Sequence, residues 1–278
     1  MFKNEIAYLE TKQFALEGEE DIVSLTAYVA AKHQDLPYNE KRPGILVIPG
    51  GAYAYCSNRE AEPIALTFLA AGYNAFVLAY NVNNRFHGGS RFPAQLIEAA
   101  KAMKLIRDKA EEFRTDPDRI FVIGFSAGGH LAASLGTMYD SSYVHDAIDI
   151  PKGYVRPTGM ILCYAVIDSG EYAHRGSIDN LLLDKKDDAG WLETVALQNR
   201  VDENTVPTFL WHTRTDTTVP VQNSLLFAKA LADKGVGFEM HVYPSGGHGA
   251  SLANELVGCN YPVLTEWVGE ALRWMKSV

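Results

Sequence analysis

Cysteine is scarce in this sequence, which has only three among its 278 residues: Cys56, Cys163 and Cys259. Their number is odd, their spacing is wide and no C-x-x-C pair is present, so neither a disulfide framework nor a cysteine-based metal or redox site is indicated. We therefore expect three free thiols that are buried or half-buried. The sequence predicts no bound metal and no cofactor.

Positive charge is also in short supply. The chain carries 25 Lys and Arg residues against 34 Asp and Glu residues, which gives a formal net charge of −9. Binding to nucleic acid or to an anionic membrane requires clustered Lys and Arg side chains that neutralise phosphate groups, and the sequence has no such cluster. We expect neither nucleic acid nor a membrane as a partner.

Long apolar runs are missing as well. No stretch approaches the roughly 20 apolar residues that a membrane-spanning helix needs. The opening residues, "MFKNEIAYLETKQF", lack the apolar core and the small-residue cleavage site of a secretory signal. We therefore expect a cytoplasmic protein.

The chain does contain short apolar runs that alternate with helical patterns, over a length that suits a single domain spanning 1–278. This alternation predicts an α/β fold with a mostly parallel sheet and helices on both faces. The segment "DIVSLTAYVA" alternates apolar and polar residues, which predicts an antiparallel N-terminal edge strand exposed on its other face. The remaining strands are predicted at Ile45–Ile48, Ala75–Tyr80, Ile120–Gly124, Met160–Val166, Pro207–His212 and Phe238–Tyr243, and the helices at Glu60–Ala71, Phe92–Phe113, Ala127–Met138, Val221–Lys234 and Pro262–Lys276.

Two segments are longer than ordinary loops. They are Asn81–Arg91 and Asp168–Thr205. In an open α/β sheet, ligands bind beyond the carboxyl ends of the strands, and long irregular segments there usually act as lids or binding loops. Segment 168–205 is therefore a candidate cap or lid.

The motif "GFSAGGH", residues 124–130, places Ser126 between two glycines. The pattern G-x-S-x-G also occurs by chance, but here it lies between a buried apolar run and a helix of small residues, which is the context of a nucleophile elbow. A strained turn and tight helix–strand packing require small neighbours, which explains Gly124 and Gly128. We interpret Ser126 as a nucleophile; the alternative is an inert serine in a glycine-rich turn.

A serine hydroxyl needs a base, and the base needs a group that orients it. In this architecture the order is serine, acid, histidine, each just beyond a strand. "FLWHTRTDTTVP" supplies Asp216 and "FEMHVYPSGGHGA" supplies His248. The rival acid, Asp168, follows the preceding strand and is expected to cap its own turn, whereas His130 is expected to be a buried, hydrogen-bonded histidine.

Acyl transfer also needs backbone N–H groups aimed at the developing oxyanion. In "ILVIPGGAYAYCS", Gly51 and Ala52 follow a buried strand, and Ala127 follows Ser126. These three residues form the predicted oxyanion hole. Tyr53, Phe86 and Trp191 are candidate substrate contacts, with core, loop or cap packing as the alternative for each.

Over most of its length, from about Pro49 to Leu252, the chain resembles α/β-hydrolases of the branch that contains acetylxylan esterases, feruloyl/acetyl esterases and hormone-sensitive-lipase-like carboxylesterases. The similar segments include "PGGAYAYCSNREAEPIA", "DPDRIFVIGFSAGGHLAASLG" and "GVGFEMHVYPSGGHGASL". The match of "RTDTTVP" to the family's acid loop favours Asp216 over Asp168. This chain differs at Ala52, where relatives usually have a third glycine, and at Ala165, where they often have proline.

The resemblance implies a serine carboxylic-ester hydrolase with an α/β-hydrolase fold and an acyl-enzyme intermediate. We expect a small-molecule ester as the substrate, with short acyl groups such as acetate on an alcohol such as a xylo-oligosaccharide. Two alternatives stay open: an amide hydrolase, such as an arylformamidase or a small peptidase, and a non-catalytic binding protein with the same fold. The oligomeric state is also open, with a homodimer as one alternative.

Overall fold

A computed structural model describes residues 8–19, 23–31, 41–83 and 89–278. Its centre is an eight-stranded sheet with the order β1-β2-β4-β3-β5-β6-β7-β8. The first two strands pair antiparallel with their neighbours, and all strands from β4 across to β8 pair in parallel. The strands are β1 (Leu9–Ala15), β2 (Ser24–Ala30), β3 (Arg42–Ile48), β4 (Asn74–Ala79), β5 (Thr115–Phe125), β6 (Met160–Cys163), β7 (Thr208–Thr213) and β8 (Phe238–Tyr243).

Helices cover both faces of this sheet, as the alternating pattern predicts. Apolar side chains of α1 and α8 pack on one face, and those of α2, α3 and α7 pack on the other, so each face has its own buried cluster. The helices are α1 (Glu62–Ala70), α2 (Ala94–Asp108), α3 (Ala127–Met138), α4 (Ser142–His145), α5 (Arg175–Leu182), α6 (Ala189–Val195), α7 (Gln222–Asp233) and α8 (Glu266–Trp274).

The antiparallel N-terminal edge is confirmed, but one detail of its prediction is wrong. The strand in "DIVSLTAYVA" is β2, which lies between β1 and β4 instead of at the edge. Its second face is also covered, because Tyr28 packs in the same apolar cluster as Ile64 and Phe68 of α1. The edge strand is β1. Its side chains are largely polar and exposed, so the sequence has no apolar pattern that indicates a strand there.

Segment 168–205 contains the two short helices α5 and α6, which the sequence pattern does not predict. Ile178, Leu181 and Leu182 of α5 are buried. The segment is also tied to the rest of the chain, because Phe92 N donates to Leu181 O at 3.0 Å and Asn180 Nδ2 donates to Ala52 O at 2.8 Å. Its role as a lid stays a prediction.

The expectation for the cysteines is confirmed: all three are free, with Cys163 buried and the other two half-buried. Among residues 8–19, 23–31, 41–83 and 89–278, no helix has the length and apolar character needed to cross a membrane.

Candidate active site

Ser126 lies in the sharp turn between β5 and α3. Its φ angle is 53°, in the left-handed region that costs energy for a residue with a side chain. The turn leaves no room for larger neighbours: a Cβ on Gly124 would lie 2.2 Å from Gly128 O, and one on Gly128 would lie 2.2 Å from Ile48 O. The two glycines therefore allow β3, β5 and α3 to approach closely enough to form the turn.

His248 and Asp216 lie beside Ser126, beyond the ends of β8 and β7. His248 Nε2 is 2.8 Å from Ser126 Oγ, and His248 Nδ1 is 2.6 Å from Asp216 Oδ2. Because an ionised carboxylate only accepts hydrogen bonds, Nδ1 carries the hydrogen and Nε2 accepts from the serine hydroxyl. The geometry is that of a nucleophile, a base and an orienting acid.

Both carboxylate oxygens of Asp216 have hydrogen-bonding partners. Its Oδ1 accepts from the backbone amides of Thr218 and Val219 at 2.9 and 3.0 Å. Buried His212 lies beneath it, with Nε2 at 3.4 Å from Asp216 Oδ2. Burial alone would raise the pKa of Asp216, but the neighbouring His212, the hydrogen bond with His248 and the Val219 amide hold that pKa well below its usual range. Asp216 therefore stays ionised in a buried position.

The loop after β3 presents its backbone to Ser126. Gly51 has a φ of 126° and Ala52 a φ of 56°, so two successive residues adopt conformations with positive φ. Asn180 fixes this loop, because its Nδ2 donates to Ala52 O at 2.8 Å. Ala127 is the first residue of α3, where backbone N–H groups have no acceptor within the helix. Gly51 and Ala52 line the same pocket as Ser126, and Ala127 directly follows Ser126, so all three predicted oxyanion residues lie near the serine.

A pocket of about 180 Å³ opens over Ser126 and His248. Gly51 and Ala52 form part of its wall. Tyr55, which is 60% exposed, also lines it, as does His174 at the N-terminus of α5. Its other lining residues are Ser57, Arg59, Glu60, Thr218 and Gly249.

Several pocket residues are not predicted by the sequence, and two of them, Glu60 and His174, are titratable groups. Glu60, which is 4% exposed, lies beside the loop after β3, with Oε2 accepting from Gly50 N at 2.9 Å and Oε1 accepting from Tyr164 OH at 2.7 Å. His174, for which the sequence gives no indication of a site, also lines the pocket. Neither residue belongs to a motif, and Glu60 is only the first residue of the predicted helix Glu60–Ala71.

Two of the three predicted substrate contacts, Tyr53 and Trp191, do not line this pocket. Tyr53 is 1% exposed, and its hydroxyl lies 2.8 Å from His130 Nδ1, so its prediction as a substrate contact is wrong and core packing is correct. Trp191 packs on Phe92 with ring centroids 6.4 Å apart, outside the pocket wall. The left-handed turn at Ala52 and Tyr53 directs the tyrosine inward. Phe86 lies outside the described residues.

The two rival residues take the structural roles expected of them. Asp168 Oδ2 accepts from Tyr172 N at 2.8 Å and its Oδ1 accepts from Gln198 Nε2 at 2.9 Å, so this acid caps its own turn. His130 is fully buried between Tyr53 OH and Val195 O, and burial lowers its pKa to about 4. Neither residue contacts Ser126 through its side chain.

Within the part of the chain that the structure describes, no group of three or more His, Cys, Asp or Glu side chains is arranged to hold a metal ion.

Comparison with known proteins adds an independent line of support. Residues 35–231 match the model of the BD-FAE family. The chain is 37% identical over 238 residues to an endo-1,4-beta-xylanase B from Butyrivibrio fibrisolvens, covering 84% of this chain and 35% of that protein. It is 29% identical over 248 residues to an acetylxylan esterase from Xylanibacter ruminicola, covering 87% and 47% respectively. The chain therefore spans less than half the length of these two curated relatives.

A solved structure is similar over nearly its whole length. The acetyl ester-xyloside bifunctional hydrolase from Caldicellulosiruptor lactoaceticus has a TM-score of 0.78 and 38% identity, covering 92% of this chain and 88% of that chain. The family match covers more than half of the chain, and the sheet order and helix layers agree with it. The chain belongs to the BD-FAE family, in the esterase branch of the α/β-hydrolases.

Proposed function

We propose that the protein is a serine carboxylic-ester hydrolase that removes short acyl groups, acetate above all, from a carbohydrate alcohol such as a xylo-oligosaccharide. The observation that carries the proposal is the continuous chain of contacts from Ser126 Oγ to His248 Nε2 at 2.8 Å and from His248 Nδ1 to Asp216 at 2.6 Å. A nucleophile, a base and an orienting acid at hydrogen-bonding distance are what acyl transfer through a serine requires.

In the acylation step, Ser126 Oγ attacks the ester carbonyl carbon while its proton passes to His248 Nε2. The tetrahedral intermediate then collapses, the bond to the alcohol oxygen breaks, and His248 returns the proton to the leaving alcohol. Asp216 stabilises the imidazolium that forms in between. Water repeats the sequence on the acyl-enzyme: His248 takes its proton, the acid departs and the proton returns to Ser126.

The negative charge of the tetrahedral intermediate requires donors that are already in place. Backbone amides of Gly51, Ala52 and Ala127 take this role. Their positions are fixed before substrate arrives, because the loop is held by Asn180 and Ala127 is locked in the first turn of α3. Fixed dipoles need no reorganisation as charge develops, which is why such donors lower the barrier.

The substrate preference rests on the shape and the lining of the pocket and on the relatives. The pocket is small, at about 180 Å³, and the methyl group of Ala52 projects where many relatives carry glycine. Polar and charged side chains such as Ser57, Arg59 and Thr218 suit a hydroxyl-rich alcohol better than a fatty chain. Relatives named as an acetylxylan esterase and an acetyl ester-xyloside hydrolase support the same preference.

One panel of substrates tests both halves of this proposal. We expect kcat/KM to fall from acetate to butyrate to octanoate esters of one alcohol, because each excluded methylene costs about 1 to 3 kcal/mol of discrimination. We also expect release of acetate from acetylated xylo-oligosaccharides and little turnover of formylkynurenine, which an arylformamidase would prefer. Ser126→Ala should be inactive throughout, whereas the exposed control Ser142→Ala should behave as wild type.

A maximum at octanoate would contradict the short-acyl preference. Failure to release acetate from any acetylated sugar would remove the carbohydrate alcohol and leave the esterase. Turnover of formylkynurenine above that of every ester would favour the amide hydrolase.

A further inference from the structure

Glu60 connects three parts of the site that come from distant regions of the sequence. Its Oε2 accepts from Gly50 N, next to the predicted oxyanion residue Gly51. Its Oε1 accepts from Tyr164 OH at the end of β6. Glu60 also lies close to the nucleophile, because a Cβ on Gly50 would meet Glu60 Oε2 at 2.7 Å and Ser126 Cβ at 3.0 Å.

Two hydrogen bonds of Ser251 connect the loop that carries His248 to Tyr164 and to Arg59, which is next to Glu60. Ser251, three residues after His248, donates its backbone N–H to Tyr164 OH at 2.9 Å. Its side-chain Oγ donates to Arg59 O at 2.6 Å. The ring of Tyr164 also packs edge to face on the ring of His248, with centroids 5.1 Å apart. The orientation of His248 therefore depends on Tyr164, and the hydroxyl of Tyr164 depends on Glu60.

The hydrogen bonds favour Glu60 in its ionised form. Tyr164 OH accepts from Ser251 N and so directs its own hydrogen to Glu60 Oε1, while the Gly50 amide directs its hydrogen to Oε2. A carboxylate accepts both of these bonds without a hydrogen of its own to place. Burial raises the pKa of Glu60, and the hydrogen bonds from Tyr164 and Gly50 oppose that rise by favouring the carboxylate.

We propose that Glu60 is a positioning residue of the esterase reaction, whose carboxylate joins the oxyanion loop to the His248 loop and supplies a second negative charge behind His248. This inference rests on the proposed function. Acylation and deacylation both pass through a protonated His248, and a buried carboxylate behind it stabilises that cation in addition to Asp216. A role limited to packing would supply no such charge.

Glu60→Gln tests the charge with almost no change of shape. An amide has one acceptor and one donor end, so it must turn its NH₂ toward either Gly50 N–H or Tyr164 O–H. We expect kcat to fall about 10- to 100-fold with KM changed less than about threefold, because misplaced catalytic groups cost this much while substrate contacts remain.

The pH profile of kcat/KM separates a positioning role from a purely structural one. The charged or titratable groups that face His248 are Asp216 after β7, Glu60 and Arg59 before α1, Tyr164 after β6 and His174 at the start of α5. Removing the negative charge of Glu60 makes a protonated His248 less favourable, so the acid limb should move to lower pH by about 0.5 unit or more. A fall in kcat with an unmoved acid limb would overturn the proposal.

Two further variants keep the test sharp. Tyr164→Phe retains the charge of Glu60 and removes the bridging hydroxyl, so it should lower both kcat and the rate of fluorophosphonate labelling. If both rates are unchanged, the proposal is overturned even if Glu60→Gln does not fold. Glu62→Gln removes an exposed carboxylate two residues away and should match wild type in kcat and in the acid limb. If Glu60→Gln has the kcat and the acid limb of wild type while Ser126→Ala is inactive, only the positioning role is rejected. If Ser126→Ala is active, the proposed function is rejected.

Discussion

Among single residues, the contrast between Asp216 and Asp168 shows how two buried acids after neighbouring strands differ in what they can do. Asp216 uses Oδ1 for two backbone amides and leaves Oδ2 facing His248. Asp168 accepts from Tyr172 N with one oxygen and from Gln198 with the other, and its hydrogen-bond partners among the described residues include no histidine. Only Asp216 is placed to fix the tautomer of His248.

Asp216→Asn is therefore expected to lower kcat for p-nitrophenyl acetate by about 1,000-fold or more, because the amide can hold His248 in the wrong tautomer. Asp168→Asn, the matched control, should lose less than about tenfold, since it alters only a turn. Steady-state kinetics of the two purified variants measure this difference. The reverse ranking would move the acid one strand earlier.

Ser126, Asp216 and His248 could be proposed from the sequence because each comes after a predicted strand within a recognisable motif, and their catalytic roles stay predictions. Glu60 and His174 carry no such signal, since they approach the pocket only when the loop after β3 and the start of α5 fold over it. Tyr53 was misplaced for a related reason. Its position after the strand is correct, but its left-handed backbone turns the ring into the core, and sequence spacing does not encode that direction.

At the level of helices and strands, prediction succeeds where both faces of an element are buried. Strands β3 to β7 have nearly continuous apolar runs because α1 and α8 cover one face of the sheet and α2, α3 and α7 cover the other. The exposed edge strand β1 and the short helices α5 and α6 were missed. Strand β1 is held by pairing with β2, and α5 and α6 bury only a few apolar side chains, so none of the three has a long periodic pattern.

Gly128 tests how closely α3 must pack against the end of β3. A Cβ there would lie 2.2 Å from Ile48 O and 2.3 Å from Pro49 O, and both obstacles are backbone atoms that cannot swing away. Gly128→Ala should therefore lower the Tm by about 5 °C or more, equivalent to roughly 2 kcal/mol or more of overpacking. Gly237→Ala, where an added Cβ has nothing within 4 Å, is the control. Equal Tm values for the two variants would contradict this packing.

For the molecule as a whole, the parallel strands bring the candidate site residues to the carboxyl ends of the strands. The burial that forms the two apolar clusters also encloses carboxylates. Glu98 of α2 is fully buried, with Oε2 accepting from Asn81 N at 2.8 Å. Its Oε1 has no hydrogen-bond partner among the described residues. Burial accordingly raises the pKa of Glu98 from 4.5 to about 7.

This shift predicts how stability depends on pH. Between pH 4.5 and about 7 the unfolded chain has released the Glu98 proton and the folded chain still holds it, so raising the pH through this window lowers the free energy of unfolding. Glu98→Gln should be more stable than wild type near pH 8, by up to about 3 kcal/mol, and lose that advantage near pH 5. Thermal unfolding at both values measures it, with exposed Glu255→Gln as control. If the difference in unfolding free energy between wild type and Glu98→Gln were independent of pH, it would contradict the predicted fall in wild-type stability as the pH rises.

The most direct test of the account as a whole is to find where a fluorophosphonate attaches. The reagent phosphonylates a serine, with loss of fluoride, only when a base activates that serine, so peptide mass spectrometry of the labelled wild-type protein reports the nucleophile itself. We expect one adduct per chain, on Ser126, absent from Ser126→Ala and strongly slowed in His248→Ala. An adduct on another residue, or an unlabelled wild-type protein that still hydrolyses acetate esters, would contradict the central claim.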